Sequence, residues 1–248
     1  MDHRLFCEDI HRSSITTSVG DTTRHISICE IDIKDQANYK FRLEKLLTQE
    51  EKQHAARFRH EKDANLYTVT RAHLKLLLAD IYCMPPEKMI IVAGINGKPH
   101  VKDYDNIHFN VSHTHERAVI ALSKHQIGID LEYMNPAFDF ASVAEFACSA
   151  TELKLLSETK SPRTEFFKLW TRKEAFLKGL GTGLINDLKT ITCADAVNPI
   201  SGELQGVLSD WKIMTTMLSG NYIMSVAHDY FSSPVPVTLI PHSQRLPF

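Results

Sequence analysis

Two acidic residues on one predicted strand are the first side chains in this sequence that could do chemistry. Asp130 and Glu132 lie in the segment Ile127–Glu132, where a strand turns alternate side chains to the same face. Their Cβ atoms are then roughly 6 to 7 Å apart, where two carboxylates repel unless a proton or a cation lies between them. A hard divalent cation with oxygen ligands suits such a pair. The alternative is a solvated edge strand.

A predicted helix that starts at Ser161-Pro162 carries further charged residues. Its apolar stripe is formed by four large side chains: Phe166, Leu169, Trp170 and Leu177. Lys173 falls inside this stripe, and Glu174 and Lys178 lie on its flank. Because an ammonium in an apolar stripe is costly unless it is paired or faces a polar cleft, we expect Lys173, Glu174 and Lys178 to face one polar site. A simple i,i+4 surface pair is the alternative for Glu174 and Lys178.

Two upstream segments offer cations to a phosphate. Arg71 lies at the edge of the apolar face of a long helix predicted from about residue 64 to 82. The turn Asn96–Pro99 presents backbone N–H groups together with the ammonium of Lys98. These segments predict an anion site in the first half of the chain.

A predicted β-hairpin over residues 108–123 carries polar groups where its first strand ends. Ser112 and His113 lie at this point, and strand ends are where binding groups collect. His113 and His115 could form a metal pair, but no further ligand follows at a spacing typical of zinc sites. We therefore favour donation from His113 to a phosphate.

Composition excludes several classes of protein. The 248 residues carry a net charge of −2, which lacks the electrostatic footprint of a nucleic-acid binder. The five cysteines form no C-x-x-C pair, which favours a reducing cytoplasm. No stretch approaches 18 apolar residues, so we expect no membrane span. From the length we expect a monomer.

A loose internal repeat divides the chain into two α+β halves, 1–125 and 126–248. Each half contains a helix with a basic residue on its edge, then a glycine-containing turn, then a strand that ends near a histidine. Two such halves packed together would place the Asp130 strand near their seam, where ligand sites commonly form.

The motifs, taken together, resemble those of 4′-phosphopantetheinyl transferases of the surfactin-synthetase-activating type. Ile127-Gly128-Ile129-Asp130 matches the first half of that signature, and Trp170 to Lys178, reading WTRKEAFLK, matches the second. The Gly97-Lys98-Pro99 turn and the Asn110–His113 strand also resemble the family. The resemblance covers about residues 48 to 229.

The resemblance implies a fold and a reaction. The fold would be a pseudo-dimer of two similar α+β halves with the active site at their interface. The enzyme would transfer the phosphopantetheine arm of coenzyme A to a serine of an apo carrier protein or carrier domain of a fatty-acid, polyketide or nonribosomal peptide synthase. Mg²⁺ would be required and 3′,5′-ADP released.

The resemblance also implies roles for the acidic and basic residues of the second half. Asp130 would be the principal metal ligand, with Glu132 a second ligand directly or through water. Glu174 would be a third ligand, the base for the carrier serine, or both. Lys178 would neutralise charge on the transferring phosphoryl group. The predicted catalytic residues are therefore Glu174, Lys178 and Lys173.

For coenzyme A, the resemblance implies contacts from the first half. They are Arg71, Lys98, Pro99, Ser112 and His113. Some family members have an arginine for the 3′-phosphate where this chain has Leu66, so that contact is expected to be lost or to move to Arg71.

Two other functions stay open from the sequence. One is a binding module for coenzyme A or a carrier protein without activity. The other is a different metal-dependent phosphotransferase or diphosphate hydrolase, because an acidic pair would serve either reaction.

Overall fold

The computed structural model describes residues 4–9, 26–183, 188–195, 197–199, 209–229 and 237–241. Groups of helices follow groups of strands along these residues. The helices are α1 (Lys40–Glu44), α2 (Gln49–Ala55), α3 (Glu61–Tyr82), α4 (Phe140–Ala147), α5 (Ala150–Glu158) and α6 (Pro162–Leu180). The strands of the first half are β2 (Ile26–Asp32), β3 (Ile91–Ala93), β4 (Pro99–Val101), β5 (His108–Thr114) and β6 (Arg117–Ser123). The remaining strands are β1 (Arg4–Asp9), β7 (Ile127–Tyr133), β8 (Val197–Pro199), β9 (Trp211–Leu218), β10 (Tyr222–His228) and β11 (Val237–Pro241).

The two halves repeat one arrangement of strands. In the first half the neighbouring strands run in the order β2-β6-β5, and in the second half in the order β7-β10-β9. In each half an opening strand pairs antiparallel with the second strand of a later hairpin, and three helices lie between them in the sequence. The prediction of an α+β fold with two similar halves is confirmed.

The sheets do not follow the predicted division at the two ends of the chain. Strand β1, from the first residues, joins the second half's sheet beside β9, and β11, from the last residues, joins the first half's sheet beside β2. Both pairings are parallel. Since parallel pairing requires a long connection, no pattern within a short segment could have indicated it. The internal boundary at residue 125 stays a prediction.

Each half also contains a capping box whose glutamate binds a buried lysine. Thr48 and Glu51 cap α2, and Ser149 and Glu152 cap α5. Glu51 receives the ammonium of Lys75 at 3.1 Å in the first half. In the second half the ammonium of Lys173 lies 2.6 Å from Glu152. This shared pair shows the internal repeat at the level of side chains.

Apolar residues from both sheets pack together at the seam between the halves. Ile26, Ile28 and Val119 from the first sheet contact a cluster that includes Ile129 and Val226 from the second. At 25 cal/mol per Å² of apolar surface, burial of this kind is the main force that holds such layers together. The seam places β5 beside β7 and so brings together the side chains that these two strands carry.

None of the helices in the described part of the chain is long and apolar enough to cross a membrane. Four cysteines of this part, Cys29, Cys83, Cys148 and Cys193, are free thiols.

Candidate active site

Close contact between β7 and α6 brings the acidic strand to the charged helix. Gly128 makes this contact possible, because a Cβ at that position would overlap the backbone of Ala175 and Gly179. Gly179 is constrained in turn by Trp211, whose ring atoms lie 2.5 and 2.8 Å from where its Cβ would be. The absence of a side chain at both glycines therefore sets the distance between Asp130 and the last turns of α6.

Asp130 is the centre of a buried polar cluster. Its Oδ1 accepts a hydrogen bond from Ser112 Oγ at 3.0 Å and another from Lys178 Nζ at 2.6 Å. Lys178 also donates to Ser112 Oγ at 3.1 Å. The carboxylate is 3% exposed, so these contacts act in a medium of reduced dielectric. Residues from β5, β7 and α6 thus meet at one point.

Two side chains of β5 connect the halves directly. Asn110 Oδ1 accepts from the backbone N–H of Ile129 at 2.9 Å, and Ser112 Oγ accepts from that of Leu131 at 3.2 Å. Asn110 was not among the predicted site residues, although it lies in the strand that pointed to Ser112. Ser112, predicted to bind coenzyme A, takes part in this network and contacts Asp130.

Two further carboxylates, those of Glu132 and Glu174, lie near Asp130 and are repelled by its negative charge. Burial, followed by the charge of Asp130, raises the pKa of Glu132 to about 7. The same causes raise the pKa of Glu174, while Lys178 opposes the shift. Trp170 Nε1 donates to Glu132 Oε1 at 3.4 Å, a contact that the apolar stripe did not indicate. The site therefore has an excess of negative charge that a cation would relieve.

The residues at this site fit a hard cation. Among the described residues, no group of three His, Cys, Asp or Glu side chains is close enough to form a complete metal site. However, Asp130 Oδ2 is buried and has no hydrogen-bond partner among them, which is costly for a carboxylate oxygen unless a donor or a cation reaches it. All three acidic side chains offer oxygen, the ligand that Mg²⁺ prefers.

A cleft opens beside the cluster and collects several predicted residues. One wall is the turn that contains Lys98 and Pro99, and another is formed by Asn110 and Val111 of β5. The last turns of α6 form the third wall: Glu174, Leu177 and Lys178. The structure therefore brings Lys98 and Pro99 of the first half and Glu174 and Lys178 of the second half to one cleft.

Lys173 does not face this cleft, and its predicted place in a shared polar site is wrong. Its ammonium is 1% exposed and donates to Glu152 Oε2 at 2.6 Å, to Ala147 O at 2.7 Å and to Leu188 O at 3.1 Å. Successive helical residues are about 100° apart around the axis, so Lys173 and Glu174 point in different directions. The buried lysine is paired, but on a different face of α6 from Glu174.

The other predicted coenzyme A residues have different surroundings. Arg71 Nε lies 3.6 Å from Glu51 Oε1, and its guanidinium lies 5.6 Å from the ring centre of Tyr67. His113 is among the exposed residues, and partial burial of its ring and the charge of Lys178 lower its pKa. Leu66 is buried. Arg71 and His113 keep their predicted roles as proposals.

Gly128→Ala should disturb the site through packing alone. Because its Cβ would overlap the α6 backbone, we expect a loss of about 1 to 3 kcal/mol in unfolding free energy and a marked fall in activity. Urea denaturation and an activity assay would measure both. Gly220→Ala is the control, since it strains a turn with φ of +74° far from the cleft. It should cost stability but not activity, and equal activity losses would contradict this role of Gly128.

Glu132→Gln should stabilise the metal-free protein at high pH. The pKa of Glu132 is about 7 in the folded protein against 4.5 ordinarily, so the stability it contributes is lost as pH rises from 4.5 through 7. The variant carries no charge there. In EDTA at pH 8 we expect its melting temperature to exceed that of the wild type by about 2 to 4 °C for each kcal/mol relieved. The difference should vanish near pH 4.5, and a pH-independent difference would contradict the assignment.

Two family models match consecutive parts of the chain. A model described as the 4′-phosphopantetheinyl transferase superfamily matches residues 126–227. A second, described as 4′-phosphopantetheinyl transferase, N-terminal, matches residues 35–125. The two matches meet at residues 125 and 126, just before β7 begins.

Individual relatives span most of the chain. The 4′-phosphopantetheinyl transferase psf-1 of Bacillus pumilus is 32% identical over 169 residues, which are 67% of this chain and 72% of that protein. Sfp of Bacillus subtilis (strain 168) is 27% identical over 203 residues, 81% of this chain and 90% of Sfp. HetI of Nostoc sp. is 29% identical over 187 residues, covering 73% and 78%. On these similarities, the chain is an enzyme that belongs to the 4′-phosphopantetheinyl transferase family.

Proposed function

We propose that this enzyme transfers the 4′-phosphopantetheine arm of coenzyme A to a serine of an apo carrier protein, with Mg²⁺ and with release of 3′,5′-ADP. The observation that carries the proposal is the cluster of Ser112, Asp130 and Lys178 at the seam, next to a cleft lined by Lys98 and Glu174. Phosphoryl transfer of this kind depends mostly on positioning and electrostatics, which a cluster of opposite charges provides.

In the proposed reaction the serine oxygen attacks the phosphorus that bears the pantetheine arm, and the bond from that phosphorus to the leaving 3′,5′-ADP breaks. Glu174 lines the cleft and has a raised pKa, so it is suited to take the serine proton. The side chain of Lys178 is 31% exposed, and its ammonium can donate to phosphoryl oxygens while it remains near Asp130. Ser112 holds Asp130 in place by its hydrogen bond.

Asp130, Glu132 and Glu174 would hold the Mg²⁺ ion. When bound, Mg²⁺ would neutralise charge on the diphosphate oxygens. Asp130 contributes the buried Oδ2 atom, and Trp170 orients Glu132 from the other side. If Glu132 binds the ion directly, its removal should lower the affinity for Mg²⁺ more than if it binds the ion through water.

Intact-mass measurement of an apo carrier protein tests the proposal. The carrier is incubated with this enzyme, coenzyme A and Mg²⁺, and a parallel sample contains EDTA. We expect a mass gain of one phosphopantetheine arm that EDTA abolishes. Formation of 3′,5′-ADP without a carrier would indicate a diphosphate hydrolase instead. Binding of coenzyme A without a mass gain on fatty-acid, polyketide and peptide carriers would indicate a binding module.

Two finer expectations belong to the same proposal. From its length we expect the enzyme to act as a monomer, and from its cysteine pattern we expect it in the cytoplasm. Gel filtration with light scattering tests the first, and cell fractionation tests the second.

A further inference from the structure

Lys98 belongs to the first half of the chain, but its ammonium binds the second half. Its Nζ donates to Gly179 O at 2.5 Å, to Ile127 O at 3.2 Å and to Gln126 Oε1 at 3.2 Å. An ammonium has three N–H donors. These three acceptors therefore account for the full hydrogen-bonding capacity of the side chain, which the sequence had assigned to coenzyme A.

The strongest of these contacts lies at the C-terminal end of α6. Gly179 O is one of the last four carbonyls of the helix, which lack a partner within an ideal helix and carry its negative partial charge. The stem of Lys98 also packs there, since a Cβ at Gly181 would lie 3.0 Å from Lys98 Cδ. A cation at this end of a helix stabilises the last turn.

The same last turn carries a residue of the active site. Lys178 immediately precedes Gly179, and its ammonium contacts Asp130 and Ser112. On the other side, Ile127 begins the strand β7 that holds Asp130 three residues later. Lys98 therefore ties together the end of α6 and the start of β7, the two elements that bring Lys178 to Asp130.

We infer that Lys98 is a positioning residue that fixes the last turn of α6 against β7, and with it the contact between Lys178 and Asp130, instead of binding coenzyme A through its own charge. This inference rests on the proposed function for its kinetic consequences. Its structural consequence, the order of the last turn of α6, does not depend on any activity.

Kinetics of Lys98→Met test the inference. We expect kcat to fall about 10- to 100-fold, because small misplacements of reacting groups have effects of this size. The KM for coenzyme A and its dissociation constant by calorimetry should stay within about threefold of wild type. Lys102→Met, which removes an exposed lysine four residues away, is the control and should leave all three values unchanged. A tenfold or greater rise in the dissociation constant with kcat unchanged would overturn the inference.

A double variant shows whether Lys98 acts through Lys178. If it does, adding Lys98→Met to Lys178→Met should lower kcat no further, because residues that act as a unit are not additive. Independent, multiplying losses would contradict the inference. Lys98→Arg, which keeps a cation within reach of the carbonyls, should recover part of kcat and replaces Lys98→Met if that variant does not fold.

Hydrogen exchange separates this inference from the proposed function. In Lys98→Met, the amides of residues 178 to 181 should exchange faster than in the wild type, while those at the start of α6 remain protected. Unchanged exchange there would refute the positioning role. If the wild-type enzyme modified no carrier protein, the proposed function would fail, and the exchange result would still decide whether Lys98 orders the helix end.

Discussion

Asp130→Asn is expected to abolish most activity without unfolding the enzyme. One oxygen of Asp130 accepts hydrogen bonds from Ser112 and Lys178, and the other is buried with no hydrogen-bond partner in the part of the chain that the structure describes. The negative charge of Asp130 is therefore available to both the lysine and a cation. Removal of one group that stabilises a charged transition state costs about 10²- to 10³-fold, and we expect a fall of at least this size in kcat/KM, measured by carrier mass change.

Stability provides the internal control for this variant. The charge of Asp130 raises the pKa of both Glu132 and Glu174, so its removal relieves repulsion and should leave the melting temperature in EDTA unchanged or higher. Asp139→Asn makes the same chemical change at an exposed helix cap and should keep full activity. Wild-type turnover by Asp130→Asn would disprove the mechanism, and a large loss of stability would point to a structural role.

Lys173→Met is expected to destabilise the fold by about 3 to 5 kcal/mol, the usual cost of leaving one member of a buried ion pair alone. Glu152 is fully buried, and its other contacts are the backbone N–H groups of Ser149 and Cys193. Without Lys173 the carboxylate of Glu152 loses the ammonium that lies 2.6 Å from it. Urea denaturation at neutral pH would measure the loss.

A double-mutant cycle distinguishes the pair from the catalytic role first predicted for Lys173. Glu152→Gln combined with Lys173→Met removes both charges, and the single amide oxygen can still accept from one of the two backbone N–H groups, that of Ser149 or that of Cys193. It should recover part of the stability that either single change loses. Folded Lys173→Met should turn over close to the wild-type rate. A variant that stayed stable and lost activity would restore the catalytic role.

The motifs of the second half could be read from the sequence because they depend on local periods. Strand alternation paired Asp130 with Glu132, and the structure finds both in β7, where burial and the charge of Asp130 raise the pKa of Glu132. The Ser161-Pro162 pair predicted where α6 begins, and the helix runs from Pro162 to Leu180 with Gly181 as a left-handed cap. The two capping boxes are also local patterns, because each joins residues three positions apart in the chain.

The long helix and the hairpin of the first half were also predictable. The helix expected from about residue 64 to 82 ends at Tyr82 and begins slightly earlier, at Glu61. Its early start has no side-chain cap, so the sequence contained no capping motif to mark it. The hairpin strands lie at 108–114 and 117–123, which agrees with the hairpin predicted over residues 108–123.

The hydrogen-bond partners of Lys173 and Lys98, in contrast, are decided by the tertiary structure. A buried ammonium must find acceptors, and the sequence correctly indicated that Lys173 needs them, but Ala147, Glu152 and Leu188 reach it only after α4, α5 and the segment after α6 have packed. The same holds for Lys98, whose acceptors lie 28, 29 and 81 residues away.

The sequence by itself determined the types of group in the site and the elements that carry them, because alternation, helical period and capping act over a few residues. Only the tertiary structure decided which of these groups meet. It placed Lys178 with Asp130 and Ser112, turned Lys173 away, and exchanged the terminal strands between the two sheets. The physical reason is that burial and hydrogen-bond satisfaction are set by close packing between segments far apart in the chain.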